Sequence, residues 1–322
     1  MNDYFRIPRL PFVCVLSLIL VAGCAEQKQP QPQPAPAPAI KVPAFSATSA
    51  FDYLVAQTNF GPRNPGSIGH RNCLNYLQTE LQKYTDAVNL QAFTLKGYGS
   101  EVLHLTNVIA SFNPQSTTRI LLLAHWDTRP RADQESDPKK RATPIIGAND
   151  AASGVAVLLE IARQMKTTPP PVGVDILLVD GEDYGNERDH DYYFLGAKYF
   201  AEHLPPGFAP SFAILLDMVG DKQLELMKEP NSVASAPDIV NLVWTTAKDL
   251  GVAQFSDAMQ SAVLDDHIPL NSAGIRTIDL IDFHYPDESN KYWHTTEDTP
   301  DKCSPESLEA VGTVLLHVIY RP

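Results

Sequence analysis

Three apolar runs in the middle of the chain have the length and composition of buried β-strands. They cover residues 120–124, 174–179 and 212–216, and each is almost continuously apolar. A strand of this kind is buried on both faces of a sheet. Residues 155–165, which lie between the first two runs, predict a helix packed on that sheet. We therefore expect an open α/β sheet.

Further helices and strands are predicted around this sheet. Helices are expected over residues 45–55, 70–84, 192–203, 236–250 and 304–319, and strands over 90–93, 103–111 and 276–281. Ser304 is expected to be the N-cap of the last helix, and Pro305 its first helical residue. Residues 45–322 fit one α/β domain.

The first 23 residues predict a signal peptide rather than part of the fold. Arg6 and Arg9 precede an apolar run over residues 10–22, which is too short to span a bilayer comfortably. The run ends in an LVAGC sequence at Cys24, which resembles a bacterial lipobox. That resemblance implies cleavage before Cys24, lipidation of its sulfur and anchoring to a membrane. An ordinary secretory signal followed by a chance cysteine is the alternative.

Residues 24–44 predict a tether between the lipid anchor and the folded body. They are rich in Gln, Pro and Ala, and proline alternates from position 30 to position 38. Such a segment is extended and polyproline-like. By resemblance to Gram-negative lipoproteins, Ala25 rather than Asp after the cysteine favours the outer membrane. We expect an exported protein, lipid-anchored to the cell envelope.

Charge and cysteine content narrow the classes of partner. The net charge is −13, and because the signal segment carries +1, the exported body is near −14. An acidic body argues against nucleic acid and against electrostatic docking to anionic lipid. Of the four cysteines, Cys73 and Cys303 lie in the folded body. They can pair in an oxidising compartment or remain free, and the sequence leaves both open.

Acids and a histidine stand at the ends of the three apolar strands. His125 and Asp127 follow the first strand, Glu182 and Asp183 the second, and Asp217 the third. Ligands of an open α/β sheet bind at the carboxyl ends of its strands. Neighbouring acids repel each other, and a metal ion offsets this if one acid ligates it and the other remains a base. Each motif alone is compatible with a solvated turn, but the repetition favours a site.

Other positions extend this chemistry. Asp150 precedes the predicted helix at 155–165, where it can act as an N-cap alone or direct one oxygen elsewhere. The Asp265-Asp266-His267 run forms a compact polar cluster. His294 follows Trp293, and an imidazole beside an aromatic wall is typical of a small apolar pocket, although a loop histidine is often only polar surface. Asp279, inside a predicted strand, has no assigned role.

The ordered set of motifs resembles the zinc-dependent M28 aminopeptidase family and its glutaminyl cyclase relatives, from about residue 51 to the C terminus. The resemblance implies a single domain of the zinc-exopeptidase type, with a mixed, mostly parallel central sheet flanked by helices. It also implies that Asp150, Asp183 and His294 bind zinc. Glu182 matches the general acid/base of the family.

Three features favour the cyclase branch. They are Asp265, the sequence from Asp266 onward, and Trp293 directly before the ligand histidine. Within this branch, the sequence resembles the animal-type cyclases in their bacterial lipoprotein form. In that branch Asp217 and Asp265 share protons with Glu182, Trp293 lines the substrate pocket and one zinc is used. The implied reaction converts the N-terminal glutamine of a peptide or protein to pyroglutamate and releases ammonia. Asp183 departs from animal enzymes, which commonly have Glu there.

Two rival functions stay open at this point. In a two-zinc aminopeptidase, His125 and Asp217 would hold a second ion roughly 3.5–4 Å from the first, and Glu182 would deprotonate a bridging water. In a catalytically silent surface lipoprotein, the same fold would only bind peptides. Competent residues at every matched position argue against the silent form.

Overall fold

A six-stranded sheet carries the site, with spatial strand order β1-β2-β4-β3-β5-β8. The strands are β1 (Val88–Lys96), β2 (Val102–Phe112), β3 (Arg119–His125), β4 (Gly173–Val179), β5 (Phe212–Asp217), β6 (Leu226–Lys228), β7 (Phe255–Met259) and β8 (Thr277–Ile281). β4, β3, β5 and β8 run parallel, whereas β1 and β2 add antiparallel strands at one edge. β6 and β7 pair separately. The predicted mixed, mostly parallel sheet is confirmed.

The computed structural model describes residues 41–85, 87–186 and 190–321, together with residues 1, 8 and 11. The predicted signal peptide, Cys24 and all but the last four residues of the predicted tether lie outside this main body. The helices are α1 (Ala47–Thr58), α2 (Ile68–Gln82), α3 (Ala152–Thr167), α4 (Leu195–Glu202), α5 (Pro230–Ser235), α6 (Pro237–Leu250), α7 (His267–Ser272) and α8 (Pro305–Tyr320). Among the described residues, no helix combines the length and apolarity needed to cross a membrane.

Helices cover both faces of the sheet, which explains the continuous apolar runs. Leu122 and Ala124 of β3 lie in the larger core with residues of α1, α3, α6 and α8. Leu121 and Leu123 point the other way and pack with Ala197 of α4 and Leu270 of α7. Because successive side chains of a strand point to opposite faces, a strand covered twice must be apolar at every position.

The register brings the carboxyl ends of the central strands together. His125, the last residue of β3, lies opposite Val179, the last residue of β4. β5 pairs with the other side of β3, and its last residue, Asp217, lies opposite Ile281 of β8. The residues that follow β3, β4 and β5 therefore meet at one edge of the sheet.

The structure corrects the sequence predictions at a few element ends. The helix expected over residues 192–203 begins at Leu195, because residues 190–192 form a 3₁₀ turn and Phe194 has a left-handed φ of 58°. Asp150 is not a helix cap, since α3 begins at Ala152 with Ala151 as N-cap and no side-chain capping bond. The Ser304 cap is confirmed: its hydroxyl accepts from the Ser307 amide.

The two cysteines of the folded body do not pair. Cys73 and Cys303 are both free and buried. Burial raises the pKa of the Cys73 thiol to about 12, so the thiol is neutral at physiological pH. Of the alternatives that the sequence left open, the structure shows the unpaired one.

Candidate active site

Asp150, Asp183 and His294 converge on one point, as expected for three ligands of one ion. Nε2 of His294 lies 3.3 Å from Oδ1 of Asp183 and 3.5 Å from Oδ2 of Asp150. Zinc bound tetrahedrally at about 2.0–2.1 Å from each ligand places neighbouring ligand atoms about 3.3–3.4 Å apart. All three residues are buried, and one ligand atom from each lies within 4.8 Å of the others. The residues therefore fit a catalytic zinc with an open fourth position.

A second possible metal group shares Asp150 with the first. Nε2 of His125 lies 3.1 Å from Oδ1 of Asp150 and 3.2 Å from Oδ1 of Asp217. The two oxygens of Asp150 thus face different histidines. Burial raises the pKa of Asp150, but hydrogen bonds with His125 and His294 outweigh burial and hold that pKa far below its ordinary value. The carboxylate is charged and able to bind metal at either position.

Glu182 is placed beside the metal ligands by its backbone. Its amide donates to Oδ1 of Asp127 at 3.0 Å, and the amide of Asp183 donates to Oδ2 of Asp127 at 3.3 Å. Asp127 therefore fixes the turn that carries both acids, in addition to lying 3.6 Å from Nδ1 of His125. Burial raises the pKa of Glu182 well above its ordinary value; the His125 ring opposes this, and the Asp183 charge adds to it.

Two further acids face the same site. Burial, together with the charge of Asp217, raises the pKa of Asp265 to about 7. Burial also raises the pKa of Asp217, although its hydrogen bond with His125 opposes the rise. Acids crowded in this way cannot all ionise cheaply, so they titrate as a coupled set. Perturbed carboxyl groups in a cleft are typical of acid/base catalysis.

A cavity of about 300 Å³ opens onto these groups. Its polar wall is formed by Asp150, Glu182, Asp183, Asp217, Asp265 and His294, and its aromatic wall includes Tyr193, Phe194, Phe283 and Trp293. The Trp293 ring stacks on the His294 ring with their centroids 3.7 Å apart, and it contacts Phe283 edge-on. The predicted site residues within residues 125–294 line this cavity, except His125, which lies beside Asp150 and Asp217.

Several residues that position the site were not predicted from sequence. The Asp298 carboxylate accepts from the backbone amides of Asn149 and Asp150, at 2.8 and 3.2 Å, and from the Tyr285 hydroxyl. It fixes the turn that presents Asp150. Arg129 is 1% exposed and donates to Oδ1 of Asp183 at 2.8 Å. The only sequence signal for Asp298 was its position shortly after His294.

Asp279, for which the sequence indicated no role, lies next to Asp265. Its Oδ2 is 3.6 Å from Nδ1 of His267, whose Nε2 is 3.5 Å from Oε2 of Glu229. Burial, together with the charge of Asp265, raises the pKa of Asp279 well above its ordinary value. The His267 ring lies between two buried carboxyl groups and connects β8 to the start of α5 and α7.

An open α/β sheet whose strand ends supply carboxylates and histidines to a buried metal position defines a metal-dependent α/β enzyme. The model of peptidase family M28 matches residues 107–319, which is more than half of the chain. The chain belongs to peptidase family M28, as its motifs predicted.

Solved structures share the fold over most of this chain. Glutaminyl cyclase of Bacteroides thetaiotaomicron, bound to N-acetylhistamine, is 41% identical with a TM-score of 0.84, covering 88% of this chain and 100% of that one. A leucine aminopeptidase precursor from the same organism is also 41% identical with a TM-score of 0.84, covering 88% and 99%. Glutaminyl-peptide cyclotransferase-like protein of mouse is 24% identical over 283 residues, 79% of this chain and 70% of that protein. The predicted fold class and family resemblance are confirmed.

Proposed function

We propose that the protein is a glutaminyl-peptide cyclotransferase that converts N-terminal glutamine to pyroglutamate and releases ammonia. One observation carries this choice: Asp265 lines the same small cavity as Glu182 and the zinc ligands. The cyclases that the chain resembles use an acid at this position in a proton network, whereas the aminopeptidases more often have Ser there. The similarity to bacterial and animal cyclases over most of the chain supports the same choice.

The cavity matches the needs of an intramolecular reaction. The substrate supplies both reacting groups, so the enzyme has to fold the glutamine side chain onto its own amine and stabilise charge. Trp293, stacked on His294, forms a flat apolar wall against which the side-chain methylenes can pack. The acids stand on the polar wall. A cavity of about 300 Å³ is large enough to hold one side chain.

Glu182 moves the proton. As the α-amine nitrogen forms its bond to Cδ of the glutamine, the Glu182 carboxylate accepts a proton from that nitrogen. It then donates the proton to the side-chain amide nitrogen, which leaves as ammonia when the Cδ–N bond breaks. Asp217 and Asp265 share protons with Glu182 within the coupled acid group. Asp150, Asp183 and His294 would hold the zinc ion, which would supply Lewis-acid polarisation of the side-chain amide carbonyl.

One experiment tests the proposal against its main rival. Purified full-length protein is assayed for ammonia release from a glutaminyl peptide and for amide cleavage of a leucyl substrate, with zinc counted on the same sample. We expect ammonia release, no leucyl cleavage and about one zinc per chain. Leucyl cleavage without ammonia release would contradict the proposal.

The rival is a two-zinc aminopeptidase, and it has an observation of its own. His125, Asp150 and Asp217 form a buried group able to hold a metal ion. The leucine aminopeptidase precursor from Bacteroides thetaiotaomicron is as similar in fold as the cyclase. In this case His125, Asp150 and Asp217 would hold the second ion, and Glu182 would act as general base toward the attacking water. A zinc count near two, together with leucyl cleavage, would establish it.

We further propose that the protein is exported and anchored by lipid on Cys24. The support is the sequence before the folded body: a short apolar run, an LVAGC sequence and a proline-rich tether. A Cys24→Ser variant is expected to move from the membrane fraction to the soluble fraction, because the sulfur that would carry the lipid is gone. Retention of that variant in the membrane fraction would contradict lipidation. Cys73→Ser is the matched control, because Cys73 lies buried in the folded body.

A further inference from the structure

We propose that Arg129 and Asp133 are positioning residues for the zinc site. When the site holds zinc, the Asp133 carboxylate would accept a hydrogen bond from the Nδ1–H of His294, which lies 3.7 Å away, and Arg129 ties Asp133 to a second ligand, Asp183. The inference rests on the proposed zinc site, but it does not depend on which reaction the site performs.

The Arg129 guanidinium forms a fork between two carboxylates. Its Nε and Nη2 donate to the two oxygens of Asp133 at 2.8 and 2.6 Å, and its Nη1 donates to Oδ1 of Asp183 at 2.8 Å. Nη2 also donates to the Tyr193 hydroxyl at 2.9 Å. A buried, planar guanidinium with this many partners has one orientation, and it imposes that orientation on both acids.

The Asp133 carboxylate lies beside the unused ring nitrogen of His294. Its Oδ1 lies 3.7 Å from Nδ1 of His294, and this nitrogen is buried without a hydrogen-bond partner among the described residues. The same loop contacts the His294 backbone, because the amide of Gln134 donates to the His294 carbonyl at 3.3 Å. Asp133 and Gln134, which are adjacent in the loop, therefore both lie against His294.

The arrangement has a direct consequence for metal binding. When Nε2 of His294 binds zinc, the ring proton is on Nδ1, which faces Asp133. A carboxylate that accepts a hydrogen bond from this N–H fixes the tautomer and the ring orientation, and it makes the histidine a better ligand. Arg129 compensates the charge of Asp133, so the site gains orientation without adding net negative charge. Arg129 also restrains the short Asp183 side chain, which has one methylene fewer than Glu.

A second arginine fork, at the other end of the sheet, serves as a control. Arg119 donates through Nε and Nη2 to the two oxygens of Asp175, both at 2.8 Å. These residues lie at the starts of β3 and β4, at the end of the sheet opposite to the site. Loss of Asp175 therefore breaks an equivalent ion pair without touching a zinc ligand.

The test measures zinc affinity by chelator competition on full-length protein. Loss of such a partner of a ligating histidine weakens metal binding about 10–100-fold. We expect the loss of zinc affinity to be at the low end of this range in Asp133→Asn, because the amide oxygen can still accept a hydrogen bond. In Asp133→Ala we expect the loss to be at the high end. Arg129→Lys keeps the positive charge but cannot hold both acids, so its zinc affinity is expected to fall about tenfold as well. Asp175→Asn and Asp175→Ala should leave zinc affinity unchanged.

A spectroscopic measurement separates positioning from general stability. In cobalt-substituted protein, the visible absorption bands report ligand geometry, so we expect them to change in Asp133→Ala and not in Asp175→Ala. Unchanged zinc affinity in both Asp133 variants would overturn the inference, and so would an equal loss in the Asp175 variants. If the parent protein binds no zinc, the proposed function fails together with this inference. If the parent protein binds zinc and its affinity is unchanged in both Asp133 variants, only this inference fails.

Discussion

Replacement of Glu182 by Gln is expected to lower kcat for pyroglutamate formation by roughly 10²–10⁴-fold while zinc stays bound. Glutamine has the shape of glutamate, but it cannot take a proton from the α-amine and return it to the leaving nitrogen. The variant keeps the backbone hydrogen bond from residue 182 to Asp127, which holds the turn. Asp183 and the other zinc ligands are therefore undisturbed.

The structure gives Glu182 the properties of a proton carrier. Among the residues that the structure describes, the closest basic group is Nδ1 of His125, 3.8 Å from Oε2 of Glu182, which is too far for a strong ion pair. Burial raises the pKa of Glu182, and the charge of Asp265 adds to the rise. A carboxyl group that is not locked in an ion pair, and whose pKa burial raises, can both accept and donate a proton.

Single-turnover ammonia release and zinc content, measured on the same sample, check this prediction. Glu309→Gln, an exposed change on α8, is the matched control and should behave as the parent protein. Near-normal kcat in Glu182→Gln would assign the proton transfer to another group. A fall in kcat accompanied by loss of zinc would instead indicate that the change had disturbed Asp183.

The parts of the fold that sequence predicts well are those buried on both faces. β3, β4 and β5 are nearly continuous apolar runs, as expected for strands that are covered on both faces. The polar residue after each run then stands out, which is why His125, Glu182 and Asp217 were found. Short elements carry too few residues for a period to show, so α5, α7, β6 and β7 were not predicted.

The residues that the sequence did not reveal act across long separations in the chain. Residues 129–141 are charged and resemble a solvated loop, yet Arg129 is 1% exposed. Its fork brings together Asp133 and Asp183, and Asp133 reaches His294 more than a hundred positions away. Hydrophobic periodicity and short motifs relate only residues that are close in sequence. The contacts of Arg129 with distant acids can therefore be seen only in the folded structure.

Asp150 is the ligand whose loss should cost the most metal. Each of its oxygens faces a different histidine, and it belongs to two of the three groups among the described residues that could hold an ion. Asp150→Ala is expected to lower zinc affinity by more than the roughly 10–100-fold that loss of an outer partner costs, and to abolish ammonia release. The turn should survive, because Asp298 holds the backbone amides of residues 149 and 150 rather than the Asp150 side chain.

The number of zinc ions then follows from His125, which belongs to only one of the two groups. If the site uses one zinc, His125→Ala keeps about one zinc per chain, because Asp150, Asp183 and His294 remain intact. If the parent protein binds two, the same variant loses one ion and Asp150→Ala loses both. Metal analysis of the parent and the two variants at equal free zinc decides between these outcomes. A fall from two zinc ions in the parent protein to one in His125→Ala would identify His125 and Asp217 as ligands and favour the aminopeptidase. The reason is that a second ion would engage Asp217, whereas the cyclase mechanism needs Asp217 free to exchange protons with Glu182.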